Sequence, residues 1–343
     1  MSEWMRSILF VELMGDVGDL LIALSSIQAI AISHPDARMN VLTFASNAKL
    51  LENDSLISNV FIAPPLKNPR EYWQQAECLR ELLAREHFDT IVSDTMFGGI
   101  GRIVENSDAK FKVSNLWRNS PENELIEERF LSILVDEGLV DPLHRDFAGR
   151  IALSTEEQQW ARVWLRNNLS GGKRIAILYP EVDRPIKRWP PERFIELGRW
   201  LAEEVRLSVI ISADDDIQLA KEIATEIGSG ASLLYNTDLR RFAALVANAD
   251  VFISSDTTAA RVAAGAGAPA VVLFGPTWSG RYGLRKPSVN LQSPRECSER
   301  RFIDFTEQSC WDSCICVFPG IRSCVESISV DTVVSELKQL LGS

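Results

Sequence analysis

The sequence holds no run approaching the roughly 20 consecutive apolar residues that cross a bilayer, which argues against a membrane-spanning role. It also lacks any excess of basic charge. With 36 Lys and Arg against 47 Asp and Glu the net charge is −11, the opposite of the basic footprint of general nucleic-acid binding. No nucleic-acid partner is expected, and any anion site must be local. The apolar stretch 7–13 is too short for a secretory h-region and has no small-residue cleavage pattern behind it, so a cytoplasmic protein is expected. Histidine and tyrosine are scarce, at three and four residues, which leaves few aromatic or imidazole landmarks. Trp73, Trp117 and Trp278 read equally well as sugar platforms or as core residues. Cysteine is sparse through most of the chain, yet five of the six crowd between Cys297 and Cys324. In a large chain with no signal peptide this argues for reduced thiols or a metal site rather than a disulfide framework. There is no internal repeat and no low-complexity tract.

At 343 residues the chain is long enough for two domains of roughly 100 to 200 residues each. Short apolar runs bounded by turn residues alternate with helical patterns, as parallel strands with crossover helices require. Strands are expected at 7–13, 39–44, 60–62 and 90–93, with helices near 19–33, 71–86 and 122–137. A boundary falls in 140–150. Beyond it come a helix from Ser154, strands at 174–179, 207–212, 251–254 and 270–274, and helices at 191–205, 216–227, 238–247, 257–265 and 330–341. The fold class is therefore α/β, with an N-terminal Rossmann-like domain over 1–150 and a second over 151–343. In such a pair, ligands meet the carboxyl ends of the strands. The final helix is a candidate to pack back on the first domain.

Three segments carry chemistry. Gly15, Asp16, Gly18 and Asp19 lie between the first strand and first helix, where glycines let a ligand approach the backbone and the helix N-terminus offers unpaired N–H groups. Asp19 alone is as well explained as a helix cap, and the loop lacks the full Gly-x-Gly-x-x-Gly dinucleotide fingerprint. Lys187 and Arg188, just before Trp189-Pro190-Pro191, stand where prolines pin a helix start and suit a diphosphate, though a solvated basic loop is the bland alternative. Asp256, Thr257 and Thr258 open an alanine-rich helix containing Arg261. Backbone donors and hydroxyls there suit phosphate oxygens, against a plain N-cap. Asp256 is expected to orient the turn or to accept a sugar hydroxyl. The run Asp214-Asp215-Asp216 either reaches a ribose or adenine or is a solvated helix start.

Taken in order, these segments resemble glycosyltransferase family 9, which includes the lipopolysaccharide core heptosyltransferases. The stretch from Ile8-Leu9-Phe10-Val11 to Gly18-Asp19-Leu20-Leu21 is similar to the family's N-terminal signature, Lys187 to its phosphate-binding lysine, Asp256-Thr257-Thr258 to its donor turn, and Phe274-Gly275-Pro276-Thr277 to a further signature. The sequence departs from the pattern at Thr258, where the family has Gly, and at Arg261, where it has His. The resemblance implies the GT-B architecture, two Rossmann-like domains facing across a cleft, and an inverting, metal-independent displacement from an ADP-sugar, most often ADP-heptose. It implies Asp19 as the catalytic base, and Lys187, Arg188, Asp256, Thr257, Thr258 and Arg261 as donor contacts. The implied acceptor is a lipopolysaccharide-type sugar or a protein; peripheral contact with a membrane and the oligomeric state are left open. Another nucleotide-sugar activity, such as an epimerase, and a non-catalytic sugar-nucleotide scaffold are the competing readings. Some members carry a C-terminal cysteine cluster that binds iron, so Cys310, Cys314, Cys316 and Cys324 are candidate ligands for a structural zinc or iron. Their spacing is not that of a paired Cys-x2-Cys site.

Overall fold

The computed structural model describes residues 5–66, 72–169 and 174–342. The chain divides into two compact units, Met1–Ala152 and Leu153–Ser343, each built on its own parallel sheet. In the first, β1 (Ser7–Val11), β2 (Arg38–Phe44), β3 (Asn59–Ala63), β4 (Thr90–Ser93) and β5 (Phe111–Val113) take the order β3-β2-β1-β4-β5. In the second, β6 (Ile175–Tyr179), β7 (Ser208–Ser212), β8 (Ala231–Leu234), β9 (Val251–Ser255), β10 (Ala270–Phe274) and β11 (Val289–Gln292) take the order β11-β10-β9-β6-β7-β8. Both are doubly wound sheets. Chain direction across the sheet reverses once in each, between β1 and β4 and between β6 and β9, and a reversal point is where this architecture opens a crevice at the strand carboxyl ends.

The central strands are continuous apolar runs because helices cover both faces, and β1, β4, β7, β9 and β10 are buried along their whole length. Strands β5, β8 and β11, which sequence patterning did not predict, are three of the four sheet edges. Their partly exposed residues break the apolar run on which such a prediction rests. The helix expected at 71–86 is Trp73–Arg85, and residue 71 lies outside the described residues.

Helix Val17–Ser33 is buried on nearly every side, as an element with neighbours all round must be. Two of its interior polar side chains, Ser25 and Gln28, bond to the segment that ends the first unit. Gly149 N donates to Ser25 Oγ at 2.7 Å, Arg150 N to Gln28 Oε1 at 2.9 Å, and Gln28 Nε2 to Arg150 O at 2.7 Å. Only glycine allows this approach, since a Cβ at Gly149 would stand 2.7 Å from the Ser25 backbone nitrogen.

The second unit starts with helix Thr155–Asn168, closed by a capping box in which Ser154 and Glu157 satisfy each other's backbone N–H. The Glu157 carboxylate also pairs with buried Arg240, whose Nη2 lies 2.8 Å from Oε2. That bond from Arg240 is the main reason the Glu157 carboxyl is held below its ordinary value. In the final helix, Val330–Leu341, the side chains of Val330, Val333, Leu337 and Leu341 are buried in the second unit's core with Trp189, Phe194 and Leu201.

Candidate active-site loops

In the first unit, the loop after β1 turns into helix Val17–Ser33 with Asp16 as the cap. Its carboxylate accepts from Gly18 N at 2.8 Å. The bland role weighed for Asp19 therefore belongs to Asp16, and Asp19 stands in the first helical turn, half-buried. The Asp19 carboxylate folds over Gly15 so closely that a Cβ there would meet Oδ2 at 2.4 Å. Gly15 thus makes room for the side chain that the loop presents.

Beneath Asp19 lie two carboxyl groups that sequence reasoning missed. Glu12 and Asp94 follow the adjacent central strands β1 and β4, and both are buried. Glu12 Oε2 accepts from Thr43 Oγ1 and, at 3.0 Å, from Asn47 Nδ2, while Oε1 is buried with no hydrogen-bond partner among the described residues. Asn47 Nδ2 also lies 3.4 Å from Gly15 O and 3.3 Å from Asp16 O, so Glu12 is tied to the Asp19 loop through one amide. Asp94 accepts from Thr95 Oγ1 at 2.7 Å, and that hydroxyl in turn accepts from Leu13 N at 2.8 Å.

Burial, reinforced by the Asp19 charge, pushes the Glu12 carboxyl up to about 8 against the hydrogen bonds of Thr43 and Asn47. Burial and the neighbouring Glu12 raise Asp94 well above the carboxylate range. Burial, with Asp19 the next cause, lifts Tyr72 to about 12, and its hydroxyl donates to Met14 O at 3.0 Å. Two carboxyls that are dear to ionise together each favour the protonated form. The signal for them was a single acidic residue directly after each apolar strand.

In the second unit, the carboxyl ends of β6 and β9 meet at the reversal point, with Tyr179 paired to Ser254. A short 3-10 turn, Pro185–Lys187, and the proline-started helix Pro191–Glu203 frame Lys187. Between them, fully buried Trp189 donates to Ile328 O at 2.9 Å and anchors the loop. Lys187 is buried, with Nζ 3.2 Å from Asp256 O, 3.6 Å from Asp256 Oδ2 and 3.6 Å from Asp183 Oδ1. Asp256 Oδ2 also accepts from Thr277 Oγ1 at 2.7 Å. Lys187, Asp256 and Thr277, drawn from three separate motifs, form one network.

Thr257 caps helix Thr258–Ala266, its hydroxyl accepting from Ala260 N at 3.3 Å, and Thr258 begins the helix. The helix N-terminus and its dipole thus stand beside Asp256, the Lys187 partner. Two candidates turn elsewhere. Arg188 faces Asp216 at 3.8 Å, and Asp216 is the cap of helix Ile217–Ile227, accepting from Leu219 N. Arg261 Nη2 donates to Tyr282 O at 2.7 Å. Asp214 accepts from Tyr179 OH at 3.3 Å, and burial, with Glu181 beside it, raises its carboxyl. Trp117 packs edge-on against Phe130 at 5.3 Å and Trp278 against Phe302 at 4.9 Å, while Trp73 is exposed.

Cys297 and Cys316 stand close enough to Cys310 and Cys324 for their charges to interact. Among the described residues no group of three or more His, Cys, Asp and Glu side chains stands close enough to hold a metal ion. Cys310 and Cys324 are buried, and Cys297, Cys314 and Cys316 are half-buried, all as free thiols. Cys314 Sγ lies 3.9 Å from the Trp311 carbonyl of its own short helix. Burial pushes the Cys310 thiol up and the Cys324 thiol to about 11.

Comparison with known proteins agrees with this geometry. The protein is 24% identical over 281 residues to lipopolysaccharide heptosyltransferase 3 of Escherichia coli K12, covering 76% of this chain and 80% of that one. Its fold matches the crystal structure of a family 9 glycosyl transferase from Veillonella parvula with a TM-score of 0.78 at 15% identity, over 100% of this chain and 99% of that one. It also matches the E. coli heptosyltransferase WaaC solved with ADP, with a TM-score of 0.66 at 16% identity, over 98% and 100% of the two chains. These likenesses show the GT-B fold. Among the described residues no helix is long and apolar enough to cross a membrane. Residues 129–308, which hold the Lys187 loop, the Asp256 turn and Thr277, match glycosyltransferase family 9 (heptosyltransferase), and the chain belongs to that family.

Proposed function

We propose that the protein transfers a sugar, heptose from ADP-heptose, to a hydroxyl of a lipopolysaccharide-type or protein acceptor in the cytoplasm. The observation that carries this reading is the joining of Lys187, Asp256 and Thr277 beside a helix N-terminus at the reversal point of the second sheet. A buried lysine whose amine already faces carboxylates and a carbonyl is suited to a diphosphate, which replaces or joins those partners.

The reaction then has two needs. Asp19 takes the proton of the acceptor hydroxyl as its oxygen attacks the anomeric carbon, and Lys187 with the N–H groups at Thr258 and Ala259 meets the charge that grows on the leaving diphosphate. The bond from the anomeric carbon to the diphosphate oxygen breaks as the new glycosidic bond forms, inverting that centre. A carboxylate is a weak base for a hydroxyl, so positioning over Gly15 must supply much of the effect.

Calorimetric titration with ADP and with UDP, followed by transfer assays with ADP-heptose, tests the reading. ADP is expected to bind and UDP to bind at least about tenfold more weakly, a difference of about 1.4 kcal/mol. Preference for UDP assigns another donor. ADP binding with neither transfer nor donor hydrolysis assigns a non-catalytic scaffold.

A further inference from the structure

The Cys-rich segment reaches the donor network through one aromatic side chain. Trp311, buried on the short helix Ser309–Ser313, has its ring centre 4.4 Å from the Arg184 guanidinium carbon and 4.9 Å from Lys187 Nζ. Its carbonyl accepts from Arg184 Nη1 at 2.7 Å. Two further ties fix the segment against the same loops. Gln308 Nε2 donates to Pro276 O at 3.1 Å, next to the Thr277 that holds Asp256, and Ser323 Oγ donates to Ile186 O, next to Lys187. Behind Trp311, Phe305 packs at 4.3 Å and itself meets Tyr282 at 4.8 Å.

Two cations gathered at one ring repel each other. The negative face of the indole offsets part of that repulsion, and tryptophan does this better than any other side chain. Asp183, 3.6 Å from Lys187 Nζ and 4.0 Å from Arg184 Nε, offsets more. Long cationic side chains lose rotamer entropy when they are held in place, so a ring that fixes them in advance removes a cost that a diphosphate must otherwise meet on binding.

We propose that Trp311 is a positioning residue of the donor site, its ring holding Lys187 and Arg184 together as a paired cation for a nucleoside diphosphate. The proposal rests on the donor reading of Lys187 given above. It gives the Cys-rich segment a role in donor binding that needs no metal, and it adds Arg184 to the cations that meet the diphosphate.

Full-length wild type, W311A, W311F, K187A and the K187A/W311A double variant titrated with ADP by calorimetry make the test. W311A should bind about tenfold more weakly, within the span of cation–π contacts, and W311F should recover most of the loss. In the double variant the two losses should not multiply, because residues that act through one another are non-additive. A purely structural role for Trp311 predicts full multiplication instead. ADP should also quench tryptophan fluorescence in wild type and much less in W311F, a readout that does not depend on W311A folding. Unchanged affinity in W311A, multiplying losses, W311F as weak as W311A, or an undiminished quench in W311F each overturns the proposal. Absence of ADP binding by wild type overturns the donor reading and this proposal with it, whereas binding unaffected by Trp311 overturns this proposal alone.

Discussion

The two sheets place opposite chemistry at the same topological position. At the reversal point of the first, the strand ends carry Glu12 and Asp94 beneath Asp19, and burial, with the charges of these neighbours, raises the Glu12 and Asp94 carboxyls. At the reversal point of the second, Lys187 stands between Asp183 and Asp256, its charge matched in advance. The architecture supplies the crevice, while one or two residues after each strand decide whether it suits a proton acceptor or an anion. The acidic end keeps its charge low by holding protons on buried carboxyls. The cationic end keeps it low by pairing.

Asp19→Asn should break the comparison most severely. The amide keeps the shape but cannot take a proton, so turnover is expected to fall about 100-fold or more, with thermal stability nearly unchanged because Asp16 is the helix cap. Retention of turnover in steady-state assays would move the base elsewhere. At the other end, Lys187→Ala should weaken ADP binding by about 30-fold, as loss of a charge-assisted contact implies. Equal affinity in wild type and variant, measured by calorimetry, would remove Lys187 from the donor site.

A third test reads the acidic end through stability. Glu12 holds its proton in the folded chain up to about 8, against an ordinary 4.5. Between those values the folded state keeps a proton that the unfolded chain releases, so the contribution of Glu12 is present below the lower value and is lost as pH rises toward the higher. Glu12→Gln cannot ionise, so its stability relative to wild type should grow by up to about 4 kcal/mol between about pH 5 and pH 8.5. Chemical denaturation at the two pH values checks this, and a constant difference would mean that Glu12 is already ionised in the fold. The smallest effect is expected for Asp16→Asn. Asparagine caps a helix as well as aspartate, so turnover should stay within about threefold. If this variant loses turnover while Asp19→Asn keeps it, the roles of the two residues are reversed.

Much of this arrangement was legible in the sequence, for reasons that differ by element. Central strands such as β6 and β10 announce themselves as unbroken apolar runs because both their faces are covered, and helix Val330–Leu341 shows its stripe with matching ends. Edge strands β5, β8 and β11 do not, since one side of each lacks a neighbouring strand and no period survives in three or four residues. At the sites, Lys187 and Asp256 each stood out in their own motif. Nothing in either motif said that the lysine amine would reach the Asp256 carbonyl and carboxylate, 69 positions away along the chain.

By itself the sequence determined the α/β alternation, the two-domain length, the acidic balance and the loops that carry Asp19, Lys187 and Asp256, because periodicity, charge and turn chemistry are local properties. Only the tertiary structure decided which of two aspartates caps the helix, that Glu12 and Asp94 share one buried site, that Arg188 turns to Asp216, and that Trp311 comes back to Lys187. It also brought Cys297 and Cys316 near the buried free thiols Cys310 and Cys324, a gathering set by where sulfur atoms converge in space rather than by how closely cysteines follow one another in the chain.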